Sequence, residues 1–535
     1  MSASQLQNLA PAIQEICSVS GVAGVSIGVV HHGNPIYTDS FGYRDVENGI
    51  KADDETIYYL GSLTKGFTAQ AIGILVDEGK LSWTTPVKDI LPEFRPSDDV
   101  IYNQVTIVDL LGHRSGLERA DAIWTQSNGS ILLGREDAFR TINQLRAVAP
   151  FRTEFRYNNW AYEIAGRIIE RLSGVSYSDF LADRIFDPLG MTRTFNSDPS
   201  CRGADNVAKG YLACDNSRLF PVPRPRVADG ALMNPSGGIQ STISDLLTYY
   251  TDLIRSVNDQ CQTNKSWTPG SPLKQLAQIL SSTIQTAPRL REQSYAMGWA
   301  RVQLPGTLCD TSRNQALTRS FPTIGDPNHP RLALYHHGMN VGFNSAVYLF
   351  PESETAVVLL SNSVAINDGP DWIGHLIIQN LFDDPVKHDF VSIARRTLAS
   401  GLGSYDRTEQ QFQAMLSARE PTPPEPLEAY IGKYFNAAKT FFLHITVKSG
   451  NLWMNMQGHA AENYRLKHLG SNAFSWYMSR NEQVKRGRIP IPYLDYWTIK
   501  FDLGAFGGTG RISWTAEKDV PTEFTREAVE HGQTC

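Results

Sequence analysis

The chain of 535 residues is long enough for two to four domains at roughly 150 residues each, and for a core that needs no disulfide or metal staple. Its 49 Lys+Arg against 55 Asp+Glu leave a net charge of -6, which excludes the basic face of a nucleic-acid binder. With 41% hydrophobic and 19% charged residues it has the composition of a folded globular protein, and no apolar run approaches the ~18 residues of a membrane span.

The opening MSASQLQNLAPAIQEI lacks a basic segment followed by an apolar one, so no secretory leader is expected. Cys17, Cys201, Cys214, Cys261, Cys309 and Cys535 are scattered without CxxC pairs, which fits reduced thiols better than a disulfide framework. There is no HExxH and no GxxxxGK[ST] loop. A cytoplasmic protein without metal or cofactor is the expectation.

In chain order, residues 1–17 read as one helix, with Leu6, Leu9, Ile13 and Ile16 at helical spacing. Gly24 to His31 and Ile36 to Tyr43 read as the two strands of a hairpin around His32-Gly33-Asn34-Pro35. Ser62 to Glu78 is helical and apolar on most faces, hence central and buried, and stops at Gly79. Residues 84–300 read as helical and loop-rich. Arg331–His337, Asn344–Phe350 and Thr355–Asn362 are strand-like, and a helix at Trp372–Phe382 follows. Elements from both ends thus build one antiparallel sheet flanked by helices, an α/β fold with a mostly helical insertion. The proline cluster 421–426 ends a linker expected over 406–426, which separates a catalytic domain (1–405) from an all-β barrel or meander (427–535).

Three short motifs carry chemistry, and each has a decoy. Ser62-Leu63-Thr64-Lys65 puts a hydroxyl and an amine one helical turn apart. A serine needs a base to become a nucleophile, and a lysine serves only if desolvation or a nearby cation lowers its pKa. Ser271-Pro272-Leu273-Lys274 repeats the spacing but reads as a helix start, with Ser271 as N-cap. Tyr157-Asn158-Asn159 offers a proton relay and an amide that can orient the lysine or the substrate, and its decoy is Tyr434-Phe435-Asn436. His336-His337-Gly338, followed by Met339, offers a strand edge that lines a cleft. There Gly338 would admit substrate close to the backbone, and the Met339 N–H would serve an oxyanion. Its decoy, His31-His32-Gly33, lies in the first hairpin turn. Alone, Tyr157 reads equally well as a tyrosine starting a helix, and His336 as a structural histidine. Trp124, Trp160 and Tyr58 are candidate aromatic lining, with core packing the more ordinary role.

Together these residues resemble the serine β-lactamase and penicillin-binding-protein superfamily. The resemblance is closer to its class C branch of D-aminopeptidases, esterases and transesterases. It extends over about residues 8–385, through Thr106–Leu117, Phe155–Asn159, Asp187–Met191 and Pro235–Leu246 in order. It implies Ser62 as acylated nucleophile and Lys65 and Tyr157 as sharing proton transfer. Asn159 would orient lysine and substrate, His336 and Gly338 would form the third motif, and the N–H groups of Ser62 and Met339 the oxyanion hole. The C-terminal region is similar to the lipocalin-like domains appended to some members.

Two departures stand out. His336 replaces a lysine, which removes a fixed cation for a substrate carboxylate, and Arg152 replaces a usual glycine and is expected to alter the cleft wall. Both point away from β-lactam hydrolysis. The expectation is a serine hydrolase of an ester or amide in a small molecule or peptide. An acyltransferase or cyclase of secondary metabolism, using the same acyl-enzyme, and a non-catalytic binding protein are the alternatives. The expected partner is a small-molecule or peptide acyl substrate, without nucleic acid or membrane, and a homo-oligomer is compatible with the sequence.

Overall fold

A run of residues buried on both sides, Gly24–His31 (β1), sets the centre of the fold. The structure is a computed structural model and describes residues 3–197, 203–227, 229–420, 422–504, 510–518 and 520–527. Cys201 and Cys535 lie outside these residues, and Cys17, Cys214, Cys261 and Cys309 are free thiols. From β1 the chain turns back through His32 (φ 51) and Gly33 (φ 72), the two left-handed residues of a tight hairpin. It continues as Asn34–Asp45 (β2) and Ile50–Lys51 (β3).

The rest of this sheet arrives much later, as Ile284–Gln285 (β4), Gln293–Tyr295 (β5), Ala300–Leu304 (β6), Arg331–Asn340 (β7), Phe343–Phe350 (β8) and Thr355–Ser361 (β9). The order is β3-β2-β1-β9-β8-β7-β6-β5-β4, antiparallel throughout, with Val25 opposite Ser361 where the two ends of the chain meet. The both-ends sheet is therefore as expected, but β4 and β5 fall inside the stretch read as helix and loop, and β6 runs on from its end. β4 and β5 have only 2 and 3 residues, too few for a strand pattern to show, whereas β6 alternates, with Ala300, Val302 and Leu304 buried.

Helices cover both faces. Ala10–Ser20 (α1), Gly369–Leu381 (α5) and Phe390–Ala418 (α6) pack on one side around Trp372, Ile373 and Ile377. On the other side Ile243–Thr263 (α4) lies against β1 and β9. Thr64–Asp77 (α2) and Asn159–Ser173 (α3) pack on each other within the insertion. Every residue of α2 from Thr64 to Leu75 is buried, as its apolar surround predicts. The N-terminal helix is two: Ala3–Gln7 ends before α1, whose first turn holds Pro11, a residue that cannot donate to a continuing helix. α6 runs on to Ala418, well into the stretch expected as linker, because Thr408 and Phe412 bury against the C-terminal region.

That region is a second nine-stranded antiparallel sheet. Its edge strands, Asn463–Arg465 and Lys467–Gly470, are separated by Leu466 alone, so the sheet curls until its edges nearly meet. The result is a nearly closed barrel. Arg488 crosses its interior, donating to Glu462 (3.1 Å), the Tyr464 hydroxyl (2.7 Å), the Tyr496 hydroxyl (3.0 Å) and the Gln126 side chain of the catalytic domain. Glu462 in turn accepts the Ser127 N–H at 3.0 Å. Among the described residues no helix is long and apolar enough to cross a membrane.

Arg488 and Glu462 are 4% and 1% exposed, so removing one strands the other. Arg488→Ala is expected to cost about 3–5 kcal/mol in urea unfolding. The double variant Arg488→Met/Glu462→Met is expected to lose distinctly less, and an equal loss would mean the ion pair is not what holds this junction.

Candidate active site

Two backbone approaches place the serine. Tyr58–Tyr59 pairs with Gln240–Ser241, and the Leu60 N–H donates to the Ile239 carbonyl at 2.9 Å, which fixes the chain just ahead of Ser62. Gly61 then turns at φ +53, where a Cβ would lie 2.4 Å from the Met339 nitrogen. Gly338 is held as tightly: its Cβ would stand 1.9 Å from the Leu60 carbonyl oxygen and 2.4 Å from Ser345 Oγ, which itself donates to that carbonyl at 2.7 Å. Gly338 lines the cavity, as expected, and also makes room for the turn that carries Ser62.

β6 stops pairing with β7 at Tyr335, so the edge beyond is open. The His337 N–H points outward there, to Thr311 Oγ1 at 3.2 Å, and strand alternation puts the Met339 N–H on the same edge beside Ser62.

The structure brings Ser62, Lys65, Tyr157 and Asn159 together. Ser62 Oγ lies 3.0 Å from Lys65 Nζ and accepts from the Tyr157 hydroxyl at 2.7 Å. Lys65 Nζ also donates to Asn159 Oδ1 (2.9 Å) and the Ser236 carbonyl (2.8 Å), and sits 4.8 Å from the centre of the Tyr157 ring. The spacing of these residues follows from local structure. Asn158 caps α3 by accepting the Ala161 N–H at 3.2 Å, which leaves Tyr157 and Asn159 on either side of the cap, both turned to the serine.

Lys65 is buried, and desolvation holds its amine well below the ordinary lysine range; Asp121 pulls it back up and Arg119 pushes it further down. Burial drives the Tyr157 phenol the other way, above its usual value, despite the Ser62 hydrogen bond and Arg119. The environment favours an uncharged amine beside an intact phenol. An uncharged amine has two N–H bonds and one lone pair. With Asn159 Oδ1 and the Ser236 carbonyl taking the N–H bonds, the lone pair is left to the Ser62 hydroxyl.

Behind Asn159 lies a group without a motif. Asp121 accepts from Asn159 Nδ2 (3.0 Å), Trp124 Nε1 (3.1 Å) and Arg119 Nη2 (2.8 Å), while the Arg119 guanidinium lies 5.5 Å from the Tyr157 ring centre. The loop carrying them passes through Ala120 at φ +45 and is held by the barrel. Glu517 accepts the N–H groups of Arg119 (2.9 Å) and Ala120 (3.4 Å), and Arg156 Nη2 at 3.3 Å. Arg119, Asp121 and Glu517 were not singled out from the sequence, and no local pattern marks them.

His336 is a neutral side chain. Its Nδ1 lies 2.7 Å from the His337 carbonyl, which can only accept, so Nδ1 carries the proton and Nε2 accepts from the Tyr295 hydroxyl at 3.0 Å. Burial, with Lys65 nearby, pushes its pKa down to about 3. His113, wholly buried, packs behind Tyr157 with ring centroids 4.4 Å apart and planes tilted by 38°.

These groups line a cavity of about 410 Å³ that holds Ser62, Tyr157, Asn159, His336 and Gly338. A second cavity of about 580 Å³ lies between the two domains and shares Arg119, Asp121, Thr125, Met339, Val341 and Ile489 with the first. Trp124 is in the cavity wall, whereas Trp160 and Tyr58 are wholly buried in the core. Arg152 is away from the cleft. It is clamped on Asp109 at 2.7 and 2.8 Å, and its φ of +64 explains why a glycine suits the position.

The decoys are elsewhere. Ser271–Lys274 is an irregular segment in which Ser271 accepts the Leu273 N–H, and it is no helix cap because Gln275 (φ 60) breaks the chain before the helix Leu276–Ile279. Tyr434 belongs to a barrel strand, and His31-His32-Gly33 forms the hairpin turn.

A helical insertion beside an antiparallel sheet, with a buried lysine one turn from a serine at the start of its central helix, defines the class of β-lactamases and penicillin-binding proteins. The chain belongs to the beta-lactamase family, whose model matches residues 11–375; a domain of unknown function, DUF3471, matches residues 416–529. It is 26% identical over 452 residues to the unguisins hydrolase ungD' of Aspergillus campestris, covering 81% of this chain and 76% of that protein. It is 24% identical to protein flp of Staphylococcus aureus strain N315 (64% of this chain, 60% of that one). Among solved structures it resembles the octameric penicillin-binding protein homologue from Pyrococcus abyssi (TM-score 0.57, 21% identity, 98% of this chain and 100% of that one). It also resembles a class C beta lactamase from Rhodobacter sphaeroides (TM-score 0.52, 21% identity, 75% and 99%).

Because Asp121 raises the Lys65 pKa and Arg119 lowers it, the two can be told apart by pH. The acid-side midpoint of fluorophosphonate labelling at Ser62 is expected to move to lower pH in Asp121→Asn and to higher pH in Arg119→Gln. Midpoints that stay together would rule out Lys65 as the titrating group.

Proposed function

We propose that the chain is a serine hydrolase that forms an acyl-enzyme on Ser62 and cleaves an ester or amide of a small molecule or peptide. The carrying observation is Ser62 Oγ poised between the Lys65 amine (3.0 Å) and the Tyr157 hydroxyl (2.7 Å). Ser62 Oγ attacks the carbonyl carbon and its proton passes to Lys65. The oxygen becomes an oxyanion between the N–H groups of Ser62 and Met339. Collapse breaks the bond to the leaving group, which takes the proton back from Lys65 with Tyr157 as relay. Water then attacks the acyl carbonyl and gives a proton to Lys65; the second collapse breaks the bond to Ser62 Oγ, which takes that proton back as the free acid leaves. Asn159 keeps the amine aimed throughout. His336, uncharged and bonded to Tyr295, anchors no substrate carboxylate, so a β-lactam is not the substrate we expect.

The hydrolase-named Aspergillus relatives support a role in secondary metabolism. Four free thiols suit a reducing, cytoplasmic setting. The octameric Pyrococcus neighbour supports a homo-oligomer. We take residues 1–405 as the catalytic unit, 406–426 as the connection and 427–535 as the barrel unit. The barrel wall over the cleft favours a second outcome, in which a bound alcohol or amine takes the acyl group before water does, as an acyltransferase or cyclase.

Intact mass after exposure to a fluorophosphonate is expected to show one adduct, mapped to Ser62 and lost in Ser62→Ala. An unlabelled wild type would point to a binding protein that keeps the fold. Incubating a labelled acyl donor with competing alcohols and amines separates the other two: free acid alone fits the hydrolase, acyl transfer the transferase.

A further inference from the structure

The cavity between the domains belongs to neither alone. The catalytic domain contributes the loop 118–126, Arg156, Met339 and Val341, and the barrel contributes residues 488–496 and the turn 516–518. It begins where the catalytic machinery ends, since Met339 lines both cavities and Ile489 of the barrel faces both.

The charged groups lining its interior already have partners within the protein, and among the described residues Arg156 Nε is their one buried polar atom without an acceptor. Arg119 pairs with Asp121, and Glu118 with Arg146 at 2.7 Å. Glu517 is occupied by two backbone N–H groups and Arg156, and Arg488 by Glu462 and two tyrosine hydroxyls. Lys518 stands at the exposed rim. A charged ligand group in the interior would lose its water and find no free counter-charge, which is costly. What the interior offers is apolar surface from Ile123, Met339, Val341, Ile489, Ile491 and the Tyr493 ring. A volume of about 580 Å³ is in the range of sites that enclose small organic ligands.

We propose that this interdomain cavity is the subsite for an uncharged, apolar arm of the substrate, with Ile489 as the residue the arm must pass. The inference rests on the acyl-enzyme reading and deepens it. Ser62 supplies the chemistry from one domain, and the barrel selects what is attached to the carbonyl. An apolar arm is held by area alone, so its contribution grows with each methylene buried, about fourfold in kcat/KM for ~0.8 kcal/mol.

Two ester series test this. One varies the acyl chain from acetyl to octanoyl with p-nitrophenol as leaving group; the other keeps acetyl and lengthens an alkyl leaving group. In wild type, log kcat/KM is expected to climb with length in one series, and that series tells which side of the carbonyl the arm occupies. Ile489→Asp is expected to flatten the slope whatever the level for the shortest ester, and Ile489→Leu to keep it. Tyr493 is 43% exposed, so Tyr493→Glu, expected to leave the fold intact by its unfolding curve, is a second variant expected to reduce the slope. Flat slopes in both series with Ser62 still labelled by fluorophosphonate would overturn this proposal alone. A steep slope untouched in Ile489→Asp and Tyr493→Glu would overturn it too, by placing the arm elsewhere. Failure to label Ser62 would overturn the acyl-enzyme reading beneath it.

Discussion

The site depends on a lysine that has no room for its charge. Lys65 is buried, and the atoms nearest its nitrogen belong to Ser62, Asn159 and the Ser236 backbone, none of them ionised. An ammonium in such a place costs several kcal/mol unless a carboxylate shares it. The nearest carboxylate, Asp121, is kept one residue away, behind Asn159. That separation is the tuning. Direct contact would leave the lysine protonated and unable to take a proton, while full removal of Asp121 would leave it a weaker base.

Geometry enforces the arrangement from two sides. The helix holding Lys65 is wrapped by the insertion, and the strand holding Met339 is pressed on the nucleophile turn so closely that residues 61 and 338 can carry no side chain. Lys65 of α2 and Tyr157, just ahead of α3, meet within hydrogen-bond distance of one serine. The barrel adds a third hold, because Glu517 ties down the backbone that carries Asp121.

Much of this was legible in the sequence. The uninterrupted apolar run of β1, the all-round apolar α2 and the turn at His32-Gly33 each follow from local chemistry and sit where their patterns put them. The nearness of Ser62 to Lys65, and of Tyr157 to Asn159, was readable from a helical spacing and a cap, whereas the grouping of the two pairs came from the resemblance to the β-lactamase superfamily. Strands β4 and β5 are illegible because 2 and 3 residues are too few for alternation to show, while β6 does alternate and lies at the very end of the loop-rich stretch. Gly338 lines the cavity as its missing side chain suggests, and its close approach to the Leu60 carbonyl is a second reason for glycine that no local pattern reveals. Asp121 and Glu517 have no local signature: the one acquires meaning from Asn159, 38 residues on, and the other from backbone 398 residues away in the chain.

The hold that Glu517 exerts also bears on how the molecule is made. A chain grows from its N-terminus, and domains fold as they emerge. The sheet, the serine helix and the loop with Asp121 are all synthesised long before residue 517 exists, so the anchor of that loop arrives 397 residues after Ala120. A nascent chain that has not reached residue 517 therefore carries Ser62, Lys65, Tyr157 and Asn159 but not the brace behind them. Synthesis of the barrel is itself a step in assembling the site.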